Sequence, residues 1–411
     1  MIDSIYSAFN QNVFLVASGL LIFGFIAGFA IKKVKLPRVT GYILAGIILG
    51  PSLLRIFNEK TLEQLDFIPQ FALGIIALVI GAGLSFSLIR RLKFRLIIIT
   101  VLQALGAFFL VFFVLLLFGM PLGAILPLAA IATATAPAAT LAVIKEYRAR
   151  GPLTETALAV IALDDAVAIV LFGLILTFDV RHLGSVGAAA MQSLSLSFIE
   201  ISLAFVFGVA LGFLAHFLIR IAREITDALI ILLGIVLLGI GLANIFHVSA
   251  LLTNMFLGLT IINISSKNSD IVTSLERLTP PIYCLFFVLA GAHLNLRLFV
   301  ALGTAMIVWG VVFVLARILG KLSGAYAGGL ISKAPEAIKK YLGLTLIPQA
   351  GVAIGLSLLI TQTSSYYDFK SIILNVTLIS VAFNEIIGPP LTKYALFKAK
   401  EATESEEGLL R

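Results

Sequence analysis

The stretch LTETALAVIALDDAVAIVLFGLILT, residues 153–177, is apolar except for a polar first turn and two adjacent acids, Asp164 and Asp165. It exceeds the roughly 20 residues that a helix needs to cross a bilayer. A charge at membrane depth costs roughly 2.5–3.5 kcal/mol on insertion scales. Adjacent acids add to that cost, because each opposes ionisation of the other. A pair kept under such a penalty points to cation binding, proton movement or both. A pair that merely caps a helix would need a helix end, and this run offers none beside the acids.

The rest of the chain shares the apolar character. Its 411 residues are 60% hydrophobic and 12% charged, with mean hydropathy +1.12. The expected fold class is therefore an all-α polytopic membrane protein. A single cysteine, Cys284, excludes a disulfide within the chain and a cysteine-based metal site. His247 and His293 lack a second ligand at suitable spacing, so no transition-metal site, enzyme chemistry or cofactor is expected. The N-terminus, MIDSIYSAFNQN, lacks a basic region and a cleavage site, and the first apolar run reads as a retained helix.

Apolar runs of near-bilayer length occur at 13–31, 39–56, 70–89, 96–118, 121–144, 153–177, 194–219, 226–244, 247–264, 280–295, 298–322, 341–362 and 371–392. Thirteen spans place 22 of the 29 basic residues on one side, among them Lys32, Arg38, Arg91, Arg95, Lys145, Arg148, Arg277, Lys333 and Lys393. Only Arg55, Lys60, Arg181, Arg297 and Lys370 fall on the other. By the positive-inside rule the N-terminus is outside and the C-terminus cytoplasmic, in the cell's inner (plasma) membrane. The net charge of +8 is thus topological, and nucleic acid is not an expected partner. The tail KAKEATESEEGLLR reads as a short disordered segment with no soluble regulatory domain.

Anomalies in the first half return seven spans later. The fifth span carries ATATAPAAT (132–140), with Pro137 in mid-membrane. The twelfth carries IPQAGVAIG (347–355), with Pro348 and Gly351. The sixth span holds Asp164 and Asp165; the thirteenth holds Asn384 and Glu385. The fourth holds Gln103; the eleventh holds Arg317 and Lys321. An offset of seven reverses direction through the membrane, so spans 1–6 and 8–13 read as two inverted repeats with crossed broken helices. Secondary transporters use this plan, with binding at the midplane where the broken helices meet.

Asp164 and Asp165 are consecutive and point about 100° apart on a helix. One can face the helix breaks while the other faces a neighbouring helix. Thr133 and Thr135 supply hydroxyls and freed carbonyls, hard oxygen ligands that suit Na+ as the carboxylates do. Arg317 and Lys321 share a helix face. Arg317 reads as compensating a carboxylate or capping a broken helix, and Lys321 as either a second buried cation or a side chain snorkelling to the boundary. Gln103, Asn384 and Glu385 read as supporting polar groups.

With these residues in place, the chain resembles the monovalent cation:proton antiporter superfamily, in the bacterial branch that includes NapA-type sodium/proton antiporters. The resemblance rests on TGYILAGIILGP (40–51), TATAPAAT (133–140), LDDAVAIVLFG (163–173), PIYCLFFVLAGAHLNL (281–296) and LIPQAGVAIGL (346–356), in order. It implies a homodimer working by elevator-like movement of a core. Residues 1–92 and 225–296 would form the dimerisation domain, 93–178 and 297–397 the transport core, 179–224 the linker helix and 398–411 the tail. It implies Asp165 as the ion-binding aspartate and Asp164 as its partner, bonded in such relatives to a core lysine. Here Arg317 is the first choice for that position, with Lys321 one turn on.

The function so expected is electrogenic exchange of Na+ or Li+ for H+, serving pH homeostasis, with both ions competing for the aspartates. The same fold exchanging K+ for H+, or monovalent cations without discrimination, is the alternative. An intramembrane aspartyl protease needs acids converging from different helices, which adjacent residues do not provide. An organic-anion symporter would not need the pair at this position.

Overall fold

The computed structural model describes residues 12–51, 53–65, 67–176, 186–222, 224–264, 268–294, 303–361 and 368–402. The described residues form helices and connecting turns, with no strand. In chain order these are α1 (Val13–Lys33), α2 (Arg38–Leu49), the short α3 (Glu59–Glu63), α4 (Phe67–Ala82), α5 (Phe86–Leu117), α6 (Leu122–Ile131), α7 (Pro137–Glu146) and α8 (Pro152–Leu176). There follow α9 (Val186–Ile219), α10 (Ile225–Phe246), α11 (Ala250–Ile264), α12 (Asn268–His293), α13 (Thr304–Ile331), α14 (Glu336–Thr345), α15 (Gly351–Thr361) and α16 (Lys370–Lys398).

Local chemistry accounts for many boundaries. The Asn12 side chain accepts the Phe14 and Leu15 amides and starts α1. Ser85 accepts the Leu88 amide and starts α5, and Asn263 of α11 accepts the Phe86 amide. Pro137 occupies the first turn of α7, where its missing N–H costs nothing and its fixed φ suits the helix. Helices overrun several apolar runs: α12 begins at Asn268, α5 at Phe86, and α13 continues to Ile331. Hydropathy stops at the headgroups, but a helix continues into water until a cap ends it.

Six helices or helix segments among the described residues are long and apolar enough to cross a membrane alone, in α1, α5, α9, α10, α13 and α16. Only 28% of the apolar window of α1 is buried, and Ile22, Phe25, Ile26 and Phe29 face outward. Such a surface needs hydrocarbon around it. The broken pair α6–α7 is almost wholly buried, as irregular backbone at membrane depth requires.

Glycine sets the closest helix crossings, because only a residue without Cβ lets two backbones touch. A Cβ on Gly46 of α2 would stand 2.0 Å from the Val288 carbonyl oxygen of α12. One on Gly258 of α11 would stand 2.0 Å from the Leu78 carbonyl oxygen of α4. One on Gly324 of α13 would stand 2.4 Å from the Leu102 carbonyl oxygen of α5. A seven-span offset converts the α2–α12 crossing into α11–α4 and maps α5–α13 onto itself. The packing thus obeys the symmetry of the inverted repeats.

Helices α1, α2, α4, α10, α11 and α12 pack mainly on one another, as do α5–α8 with α13–α16; α9 lies against α8, α10 and α11. After α16 the chain turns back onto α8. The Glu401 carboxylate accepts the Leu153 and Thr154 amides, both at 2.7 Å, and the Thr154 hydroxyl at 2.8 Å. Gly151, at φ 155°, leaves room for it; a Cβ there would lie 2.4 Å from Glu401 Cδ. Glu401 therefore caps the helix that carries the aspartates. The expected tail begins at the last residue of α16; 403–411 lie outside the described residues.

Three outcomes are expected in thermal unfolding of the detergent-solubilised chain. Gly324→Leu forces α5 from α13 and destabilises by about 1–3 kcal/mol, the usual range for overpacking. Gly241→Leu, where nothing lies within 4 Å, leaves the midpoint unchanged. Glu401→Ala removes the α8 cap and costs about 1 kcal/mol. Equal midpoints for Gly324→Leu and Gly241→Leu would contradict the packing account.

Candidate functional site

Between α6 and α7, and between α14 and α15, two irregular segments run through the interior at 132–136 and 346–350. They touch: the Ala136 amide donates to the Pro348 carbonyl at 2.8 Å. The Thr140 hydroxyl donates to the Thr345 carbonyl at 2.7 Å. Gly388 of α16 admits the Pro348 ring, which a Cβ would meet at 2.7 Å.

Breaking a helix frees carbonyls that must find donors away from water. Arg317, fully buried on α13, supplies three of them. Its Nε donates to Ala132 O at 3.0 Å, Nη2 to Ala134 O at 2.7 Å and Nη1 to Ile347 O at 2.6 Å. One guanidinium thus fastens both breaks. Its rigid fork serves three carbonyls in a way the point charge of lysine cannot. Gln349 Nε2 serves a fourth, Ile131 O, at 3.0 Å.

Lys321, one turn along α13, is also fully buried. Its ammonium pairs with Asp164 Oδ2 at 2.9 Å. It also donates to the Thr133 carbonyl, to Gln103 Oε1 at 2.6 Å and to Thr135 Oγ1 at 2.9 Å. Asp164 is saturated: beyond Lys321 it accepts from Gln103 Nε2 and from the Thr135 hydroxyl. The glycine-mediated α5–α13 crossing brings Gln103 and Lys321 within reach of each other.

Asp165 differs. It is 2% exposed, and neither carboxylate oxygen has a hydrogen-bond partner among the described residues. Two carboxylates adjacent in sequence therefore sit in opposite chemical situations. Glu385 of α16 is likewise buried with both oxygens unpartnered. Its neighbour Asn384 donates to Ser380 Oγ at 2.9 Å and to Gln349 Oε1 at 3.2 Å, linking α16 to the second break.

The twelve residues expected from sequence thus lie in the breaks or on the helices around them, with several placements differing from expectation. Lys321, not Arg317, holds Asp164. Arg317 serves carbonyls because it stands level with both breaks, one turn from Lys321. Lys321 does not snorkel, since Asp164 compensates it in the interior. Thr135 is engaged with Asp164 rather than open beside Asp165. The Thr133 hydroxyl bonds back to Ala130 O at 2.7 Å, and its carbonyl is the group that faces the site. Gln349 and Ser380 also join the site, with no charge or helix break of their own to mark them. Gln349 lies inside the quoted break motif, and small residues at four-residue intervals, Gly320, Gly324 and Gly328, were a legible sign of the α5–α13 contact.

The sequence pattern of the family described as sodium/hydrogen exchanger, transmembrane, matches residues 19–394. The fold is similar to the sodium proton antiporter MjNhaP1 from Methanocaldococcus jannaschii. In a structure at pH 8 the TM-score is 0.68 at 19% identity, covering 94% of this chain and 99% of that one. In a second, electron-microscopy structure it is 0.70 at 21% identity, covering 94% of each. A segment is 37% identical over 71 residues to YbaL of Escherichia coli (strain K12), named as a cation/proton antiporter. That match spans 17% of this chain and 12% of YbaL.

Arg317→Lys is expected to destabilise the chain, because one ammonium cannot reach all three carbonyls. Each lost charged hydrogen bond costs about 1.5–3 kcal/mol. Thermal unfolding of Arg317→Lys beside Arg317→Gln checks this; wild-type stability in the lysine variant would contradict the three-carbonyl role.

Proposed function

We propose, from the premise that the chain belongs to the sodium/hydrogen exchanger family, that it exchanges Na+ or Li+ for H+ through competition at Asp165. The observation that carries this reading is the contrast within the aspartate pair. Asp164 has three donors, whereas Asp165 is buried with two open oxygens. A buried carboxylate without a partner needs a proton or a cation.

In the proposed cycle, Asp165 is protonated where protons are abundant, and the neutral group crosses the low-dielectric interior. Where they are scarce, Asp165 ionises and takes a cation, with backbone carbonyls and Asp164 as further hard oxygen ligands. The uncompensated anion crosses reluctantly, which couples the two fluxes. Cation binding draws Asp164 from Lys321, and the freed ammonium then releases its proton. Buried lysine can do this and arginine cannot. One proton from Asp165 and one from Lys321 leave for each cation, so exchange is electrogenic.

The packing supports a division into a scaffold of α1–α4 and α10–α12 and a moving core of α5–α8 and α13–α16, which crosses by elevator-like displacement within a homodimer. Orientation with the C-terminus in the cytoplasm is supported by contacts among residues of the basic side: Arg95 with the Ser332 and Lys333 carbonyls, and Lys393 with the Lys35 carbonyl.

In proteoliposomes, Asp165→Asn is expected to abolish Na+-driven proton movement, and undiminished exchange would remove Asp165 from the mechanism. The apparent KM for Na+ should rise as pH falls, since protons occupy the same carboxylate; a pH-independent KM would refute competition. Lys321→Gln should lose net charge movement per cation while any residual exchange stays dependent on Asp165. Parallel titration with Li+, Na+ and K+ separates Na+ exchange from the K+ alternative.

A further inference from the structure

Away from the aspartates, a cavity of about 600 Å³ opens between α1, α2 and α12 on one side and α7 on the other. Five cationic side chains line it, Lys32, Arg38, Lys145, Arg148 and Arg277, against one carboxylate, Glu146. A vestibule so charged raises the local concentration of anions and repels Na+. It is therefore suited to an anionic ligand rather than to the transported cation.

The cavity lies at helix ends, where α1 ends at Lys33, α2 begins at Arg38 and α7 ends at Glu146. It also lies on a seam. Glu146 of α7 accepts the Arg38 amide of α2 at 2.8 Å through Oε2. Nearby, Lys393 of α16 donates to the Lys35 carbonyl at 2.7 Å and stands 4.8 Å over the Tyr147 ring. The second Glu146 oxygen, Oε1, is buried without a hydrogen-bond partner. The wall thus presents guanidinium and ammonium groups to an anion.

We infer that this vestibule binds a phosphate-bearing ligand, either a phospholipid headgroup or free phosphate, and that the ligand bridges α7 to α1, α2 and α12. Three arginines favour phosphate, whose tetrahedral oxygens accept the guanidinium fork from several directions. Phospholipid headgroups are also known ligands of basic pockets between membrane helices. The bridge restrains transport only under the scaffold–core division proposed above; binding itself does not depend on it.

The test is calorimetric titration of the delipidated full chain with inorganic phosphate and, separately, with short-chain phosphatidylglycerol. Saturable binding of at least one is expected, with a raised unfolding midpoint. Arg38→Gln with Arg277→Gln should weaken it about tenfold or more, as loss of charged hydrogen bonds does. Lys32→Gln with Lys145→Gln serves if the first pair fails to fold. Lys60→Gln and Asp165→Asn should bind as wild type, so failure of the exchange mechanism is distinguishable from failure of this site. Phosphate binding identifies free phosphate as the ligand class; phosphatidylglycerol binding alone identifies a headgroup. No saturable binding of either, or affinity unchanged in the double variants, overturns the inference.

Discussion

The contact between Arg317 and the carbonyls of Ala132, Ala134 and Ile347 is the one on which the interior depends. Two helices broken inside a membrane leave carbonyls that water cannot reach, and each unsatisfied group costs several kcal/mol in hydrocarbon. A single guanidinium meets that demand across both breaks. Because Arg317 compensates backbone rather than an acid, Lys321 is left to compensate Asp164, and Asp165 is left without a hydrogen-bond partner among the described residues. The open carboxylate thus follows from the packing of the breaks.

That ordering separates permanent charge from exchangeable charge. Arginine keeps its charge and holds the crossing. In the proposed exchange, Lys321 and Asp165 carry the protons that move. The close α5–α13 approach through Gly106, Gly320 and Gly324 brings Gln103 to both Lys321 and Asp164, so the precision of the site rests on positions with no side chain at all. Glu401, from the far end of the chain, steadies the N-terminus of the helix that carries the pair.

Much of this was legible in the sequence. The acids in an apolar run, Pro137 and Pro348 in corresponding spans, and the clustering of basic residues at alternate span ends each have one strong physical cause. Those causes act locally, so they are visible without coordinates. The division of labour between Arg317 and Lys321 was not legible, because residues one turn apart on the same face are equivalent until the height of the breaks is known. The same holds for Thr133 and Thr135: whether a hydroxyl turns back to its own helix or outward depends on the neighbouring wall. The Glu401 cap joins residues separated by about 250 positions, and nothing local marks it.

The central claim, that Asp165 is the carboxylate for which cation and proton compete, is tested most directly by counting protons. Na+ added to the purified chain in weakly buffered solution at alkaline pH should release protons in the wild type and none in Asp165→Asn. Proton release that persists in Asp165→Asn, or Na+ binding in the wild type without proton release, would contradict it.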